Sequence, residues 1–335
     1  MGQRIAIAGA TGAVGTELIK LLEQRNFPVS ELRLLASKRS VGKSLSFNGV
    51  MITVEELTTN AFEGIDIAFF SAGASRSLEF CSAAVEAGAV VIDNSSAFRM
   101  DEGVPLVVPE VNPEAAFTHR GIIANPNCTT IQMVVALKPI HDAAVIKRVV
   151  VSSYQSVSGS GAAGMIELEQ QVTDYAAGKS LQNDIYPVQI AFNVIPHVDV
   201  FTENGYTKEE MKMVNETRKI MSAPKLKVSA TCVRVPVFRA HSEAINVETE
   251  KKLTVEMARE LFDNAVGIKV KDKPEPGGYP TPYEVSESFE TWVGRIRKDI
   301  SVENGIAFWV VADQLYKGAA LNAIQIGELL LTQKG

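Results

Sequence analysis

The stretch Arg4-Ile5-Ala6-Ile7-Ala8-Gly9-Ala10-Thr11-Gly12-Ala13-Val14-Gly15 decides the fold of this chain. A short β-like run ends in a glycine turn, and a helical pattern starts at about Val14 and extends to Gln24. Strand, glycine turn and helix in that order form the context in which a dinucleotide pyrophosphate is held. Gly9 and Gly12 permit a tight turn and close approach of the backbone, while the first helical N–H groups face the phosphates. Thr11, Ala13 and Val14 complete the candidate loop. The spacing is GxxGxxG rather than GxGxxG, and a glycine turn used only for packing is the competing reading.

Outward from that loop, β-like runs alternate with helical patterns as far as Pro126: Leu32–Ser37, Asp66–Gly73, a helix near Ser75–Glu86, and Ala89–Ser96. Such alternation predicts a doubly wound parallel sheet of Rossmann type. Gly121–Cys128 reads as a further strand and Thr129–Ile140 as a helix ended by Pro139. Longer β-rich stretches follow at Ile146–Val157, Lys225–Val237 and Ser242–Glu248, with helices near Ala162–Ala177 and Lys208–Met221, so the second half reads as α+β with a largely antiparallel sheet. The Pro- and Gly-dense segment at 273–284 reads as a loop. The expected organisation is a dinucleotide-binding domain at 1–126, a catalytic and dimerisation domain at 127–312, and a C-terminal helix at 313–335 that packs back on the first domain.

The 335 residues, 46% of them hydrophobic, are enough for two α/β domains with buried interiors. With 33 basic against 39 acidic residues and no Lys/Arg run, the chain offers no nucleic-acid groove. No apolar stretch approaches the roughly 20 residues of a membrane crossing, and the first residues lack the pattern of a signal peptide. A cytoplasmic protein is expected. The three cysteines, Cys81, Cys128 and Cys232, contain no CxxC pair, which argues against a disulfide framework and a metal cluster.

At the end of the second strand an NAD-preferring site places an acid against the ribose hydroxyls. Here the chain reads Ser37-Lys38-Arg39-Ser40. A guanidinium flanked by hydroxyls suits the 2′-phosphate of NADP, and an ordinary solvated basic turn is the alternative. Cys128 lies between a strand and a helix, so its sulfur belongs at a helix N-terminus, where dipole and N–H groups favour thiolate. Cys81 in a helical pattern and Cys232 in a strand read as packing residues. Of the histidines, His119 and His141 read as surface positions and His197 as a loop residue. His241 differs: it follows a strand that carries Arg234, which brings an acid/base and a carboxylate clamp to one sheet.

With these motifs the chain resembles the aspartate-β-semialdehyde dehydrogenases, and the resemblance covers essentially all of it. It is carried by IAIAGATGAVG (5–15), SKRS (37–40), DNSSAFR (93–99), NPNCTT (125–130), YQSVSGSG (154–161), NETRK (215–219), CVRVPVFRAHS (232–242) and the helix after VVAD (310–313). Ala240 stands where the family often has Gly, Ser or Cys. The resemblance implies a reversible NADP- and phosphate-dependent oxidation of aspartate 4-semialdehyde to 4-phosphoaspartate, in the branch toward lysine, methionine and threonine. It also implies a homodimer or a dimer of dimers.

The implied roles follow residue by residue. Cys128 would add to the aldehyde and carry a thioester, His241 would accept the proton released, and Gln155 would position the thioester carbonyl. Arg99, Asn127 and Lys219 match phosphate-binding positions, Arg234 the clamp on the substrate α-carboxylate, and Glu216 the partner of the α-ammonium. Ser158, Gly159 and Gln314 match further cofactor contacts. Without the resemblance, each of the polar residues reads equally well as solvated surface, and Glu216 with Lys219 as an intrahelical pair. An N-acetyl-γ-glutamyl-phosphate reductase is the nearest rival, although its motif usually has Gly where Asn127 stands. A noncatalytic paralogue is the alternative of another class, against which the retained Cys128 and His241 count.

Overall fold

Five of the six residues of β1 (Gln3–Ala8) are buried, as a strand covered on both faces requires. The chain continues through α1 (Ala13–Gln24), β2 (Val29–Ala36), β3 (Ser44–Phe47), β4 (Val50–Glu56), β5 (Ile67–Phe70), α2 (Ala74–Glu86), β6 (Val90–Asp93) and β7 (Ile122–Ala124). In this computed structural model, which describes residues 2–332, these strands form a seven-stranded sheet in the order β3-β4-β2-β1-β5-β6-β7. All pairs are parallel except β3 with β4. The doubly wound sheet expected from the alternation is therefore present. The β3–β4 hairpin lies outside that expectation. It turns at Asn48 and Gly49, whose φ values of 48° and 76° are those of a primed turn.

Among the described residues, 2–127 with 319–332 form one compact unit, and Cys128–Gly318 forms the other. The last helix, α8 (Leu321–Thr332), belongs to the first unit. There Glu328 accepts two hydrogen bonds from the Arg25 guanidinium at 2.7 and 2.6 Å, and Gly327 packs on Phe27 and Phe69. The stretch Asp313–Gly318 stays with the second unit. In it the Asp313 carboxylate accepts from the N–H groups of Leu315 and Tyr316 and pairs with Arg239.

The second unit contains α3 (Cys128–Ala144), β8 (Ile146–Gln155), α4 (Gly161–Ala176), α5 (Lys208–Ile220), β9 (Lys227–Arg234), β10 (His241–Thr249), α6 (Val255–Asp263), β11 (Ile268–Val270), α7 (Pro282–Val285), β12 (Thr291–Lys298) and β13 (Gly305–Ala312). Its sheet runs β11-β12-β13-β10-β8-β9. The three central pairings are antiparallel and the two edge pairings parallel. Between β8 and β9 the chain passes through α4 and α5, the long crossover a parallel pair needs. Along β10, Glu243, Ile245 and Val247 are buried whereas Ala244, Asn246 and Glu248 are half-exposed. One face of the sheet is thus covered, by α3, α5 and α6.

Two expectations are corrected here. Helix α3 does not stop at Pro139 but runs to Ala144. Proline removes one N–H and crowds the carbonyl four residues back, yet Ile140 and Ala144 beyond it are buried, and that packing carries the helix on. His119 and His141 are half-buried rather than surface residues, and each accepts a backbone N–H at Nδ1, from Gly121 at 3.0 Å and from Ile146 at 3.2 Å. Burial lowers the pKa of both.

Candidate active site

In the first unit, two glycines of the turn, Gly9 and Gly15, each have their own steric reason. Gly9 has φ of 92°, and a Cβ there would lie 2.5 Å from the Ser71 carbonyl oxygen. A Cβ on Gly15 would lie 2.2 Å from the Gly9 carbonyl oxygen, so only glycine lets α1 start this close to β1. The turn opens on a cleft of about 630 Å³, lined by Gly9, Thr11, Gly12, Ser37, Arg39 and Arg76 among others. Ala13 and Val14 form the first turn of α1, and Thr11 Oγ1 donates to Ser40 Oγ at 3.2 Å, which ties the glycine turn to the Ser37–Ser40 segment. Arg39 is exposed at the rim. Volume, open backbone and a guanidinium at the end of β2 fit a dinucleotide. Arg76 and Phe80 of α2 also line the cleft, and no motif in the sequence pointed to them.

Arg99, also in this unit, is buried and held by carbonyls. Its Nε donates to the Asn125 oxygen and its Nη2 to the Asn94 oxygen, both at 2.9 Å. The two asparagines are joined by Asn125 Nδ2 donating to Asn94 Oδ1, and Asn322 of α8 donates to Asn125 Oδ1 at 2.7 Å. Sequence reading named Arg99 but not this support, which draws on residues 31 and 197 positions away from Asn125. Asn127 is buried at the end of the unit.

Cys128 is the first residue of α3 and is partly exposed, unlike Cys81 and Cys232, which are buried. Burial pushes both of those thiols far up, so neither ionises near neutral pH. Gly318 lies against the nucleophile candidate: a Cβ there would be 2.8 Å from Cys128 Cβ. It belongs to a π-helical turn, Tyr316–Ala320, a distortion common at functional positions. Sequence reading missed this glycine, since KGAA resembles ordinary helix.

The other candidates of the second unit fall into two groups around the ends of β8, β9 and β10. Gln155 is buried, and its amide nitrogen is directed at Thr129 Oγ1 (3.0 Å), Ser153 Oγ (3.3 Å) and Glu209 Oε1 (3.3 Å). Gln155 thereby braces the residue after Cys128. Glu209 is itself linked to Lys212, which pairs with Asp199. Glu216, fully buried, and Lys219, half-buried, lie three residues apart along α5, which puts them on one side of it.

Arg234 is buried in register with Gln155, and its Nη1 donates to the Ser156 carbonyl oxygen at 2.7 Å. His241 is completely buried. Its Nδ1 accepts the Ser156 backbone N–H at 3.0 Å and lies 3.0 Å from Ser156 Oγ. Burial, and then the charge of Arg234, hold its pKa well below the usual value. A Cβ on Gly159 would lie 2.9 Å from Arg234 Nη1 and 3.4 Å from His241 Nε2, so a side chain at this position would crowd the guanidinium. Ser158 and Gln314, expected at the cofactor, are buried and hydrogen-bonded to each other, and Gln314 Oε1 accepts the Ala240 N–H at 2.8 Å. Ala240 has φ of 69°, a left-handed conformation that glycine adopts freely. Among the described residues no group of His, Cys, Asp and Glu could hold a metal, and no helix is long and apolar enough to cross a membrane.

Comparison with known proteins agrees with these two units. Residues 4–119 match the family described as semialdehyde dehydrogenase, NAD binding domain, and residues 137–317 match semialdehyde dehydrogenase, dimerisation domain. The aspartate-semialdehyde dehydrogenase of Aquifex aeolicus is 58% identical over 99% of both chains, and that of Bacillus subtilis 50% identical over 98% of this chain and 97% of its own. Among solved structures, aspartate semialdehyde dehydrogenase II of Vibrio cholerae complexed with ASA is 49% identical, with a TM-score of 0.97 over 99% of each chain. The Candida albicans aspartate semialdehyde dehydrogenase with NADP is 25% identical, with a TM-score of 0.76 over 98% of each. This chain belongs to the aspartate-semialdehyde dehydrogenase family.

Proposed function

We propose that this chain catalyses the reversible NADP- and phosphate-dependent conversion of L-aspartate 4-semialdehyde to 4-phospho-L-aspartate through a thioester on Cys128, in the biosynthesis of lysine, methionine and threonine. The observation that carries the reading is Cys128: a half-exposed thiol on the first residue of a helix, beside a glycine, in a chain whose other two cysteines are buried. The first-turn N–H groups and the helix dipole favour its thiolate, which adds to the aldehyde carbon. Bound NADP would supply the hydride acceptor, held by Gly9, Thr11, Gly12, Ala13, Val14 and the Ser37–Ser40 turn.

Arg234 grips the substrate α-carboxylate and Glu216 faces its α-ammonium, while Arg99, Asn127 and Lys219 bind inorganic phosphate as it attacks the thioester. Gln155 keeps the first turn of α3 in place through Thr129. The protein acts in the cytoplasm as a homodimer or a dimer of dimers, an assembly supported by the match to a dimerisation domain.

An NADP-linked assay with aspartate semialdehyde and N-acetylglutamate semialdehyde tests the reading. Phosphate-dependent NADPH formation from the first substrate is expected, and preference for the acetylated one would overturn it. Within the same assay, Arg39→Ala should raise the KM for NADP by about 10- to 100-fold, the loss of one charge-assisted phosphate contact, and change that for NAD little. Equal effects on both cofactors would show that Arg39 does not read the 2′-phosphate.

A further inference from the structure

In the first sheet β1 lies between β2 and β5, at the point where the strand order reverses, and the crevice above such a point is where an open α/β sheet takes its ligand. The cleft there has two walls. The Ser37–Ser40 turn that follows β2 supplies one, and the segment that follows β5, from Ser71 into the first turn of α2, supplies the other.

Helix α2 is capped by Gly73, whose φ of 88° and ψ of 161° are essentially open to glycine alone and which brings no side chain to the first N–H groups. Arg76 is the third residue of α2, so its charge stands in the first turn, at the positive end of the helix dipole. Its Nη1 donates to Glu79 Oε2 at 2.6 Å. A charged pair one turn apart supports a helix best with the acid nearer the N-terminus, and here the order is reversed. Both side chains are 51% exposed, where an ion pair contributes little. Helix stability therefore does not account for Arg76. Arg76 and Glu79 both line the dinucleotide cleft, and Lys38, Arg39 and Glu56 are the other charged residues along it.

A 2′-phosphate carries about −1.5 to −2 charges at neutral pH, more than the one guanidinium at the end of β2 neutralises. We propose that Arg76 is a second contact for the 2′-phosphate of the cofactor, closing on it from the wall opposite Arg39, and that Glu79 is its counter-ion until the phosphate takes its place. This rests on the NADP reading above. The exchange favours the phosphate, because it offers charge-assisted bonds to a group of higher charge than one exposed carboxylate. The 2′-hydroxyl of NAD offers no charge for the exchange, so Arg76 stays with Glu79 and adds nothing to NAD binding. Arg76 is thus a specificity-determining residue on the wall that carries no recognised cofactor motif.

The test is calorimetric titration of the full chain with adenosine 2′,5′-bisphosphate and with 5′-AMP, which differ only in the 2′-phosphate. Arg76→Leu should weaken the bisphosphate about tenfold, the loss of one charge-assisted contact, and change AMP by less than about twofold. Glu79→Ala should strengthen the bisphosphate about two- to threefold where Arg76 is present and have no effect in the Arg76→Leu background. Both side chains are exposed, so the fold is expected to hold in each variant, and AMP binding reports that it does. Equal losses for the two nucleotides, an unchanged bisphosphate affinity in Arg76→Leu, or an effect of Glu79→Ala that persists without Arg76 would each overturn the proposal. Wild-type protein that bound both nucleotides equally would remove the NADP reading, and this proposal with it. Loss of the preference in Arg39→Ala but not in Arg76→Leu would remove Arg76 alone.

Discussion

Replacing Cys128 by Ala is expected to abolish NADPH formation from semialdehyde and phosphate, by about 10⁴-fold or more, because the acyl carrier itself is removed. The change is small in volume and at a partly exposed position, so the thermal midpoint should move little. Binding of NADP, measured by calorimetry, should be largely retained, since the glycine turn and Arg39 belong to the other unit. The pair of results separates a lost nucleophile from a lost fold. Cys128→Ala enzyme that still turned over would remove the thioester from the account.

The second large effect is expected at Arg234. Its Nη1 is committed to the Ser156 carbonyl oxygen, and the rest of the fork is the proposed clamp on the substrate carboxylate. Arg234→Lys keeps the charge but not the planar pair of donors, and a bidentate charged contact contributes about 3 to 4 kcal/mol, so kcat/KM should fall by roughly 10²- to 10³-fold, mainly through KM. Arg234→Met should do this and one thing more. The Arg234 charge helps hold the His241 pKa down. Without it the charged ring becomes more favourable, the pKa rises toward its ordinary value, and the acid limb of the pH profile moves to higher pH. Lysine at 234 should leave that limb near its original place. If both variants moved it alike, the interaction with His241 would not be one of charge.

How far the sequence could be read depended on whether a feature is local. The β1–α1 turn was legible because three glycines and an apolar run lie within a dozen residues, and the sterics at Gly9 and Gly15 supply the reason. The Asn48-Gly49 hairpin carried an equally local signal that went unused, and β12 was missed although it pairs along much of β13. For α3 the local rule gave the wrong end, since burial beyond Pro139 outweighed the proline.

At the site, residue type and spacing singled out Cys128 and His241, and the resemblance supplied Gln155 and the ion-binding set. The hydrogen-bond support of His241 was not legible. It depends on Ser156, 85 residues away, and on Gln314, which reaches Ser158 across 156 residues. Gly318 was equally hidden, because its role is defined only by the atom of Cys128 that a side chain would strike. Contacts of this range follow from the sheet register and the π-helical turn, neither of which a linear pattern encodes.

The thioester on Cys128 is tested most directly by withholding phosphate. Enzyme mixed rapidly with aspartate semialdehyde and NADP should give a burst of NADPH stoichiometric with active sites and then stall, with mass spectrometry placing the aspartyl group on the Cys128 peptide. Adding phosphate should restart steady turnover. Continuous NADPH formation without phosphate, or a burst with no acyl group on Cys128, would contradict the account.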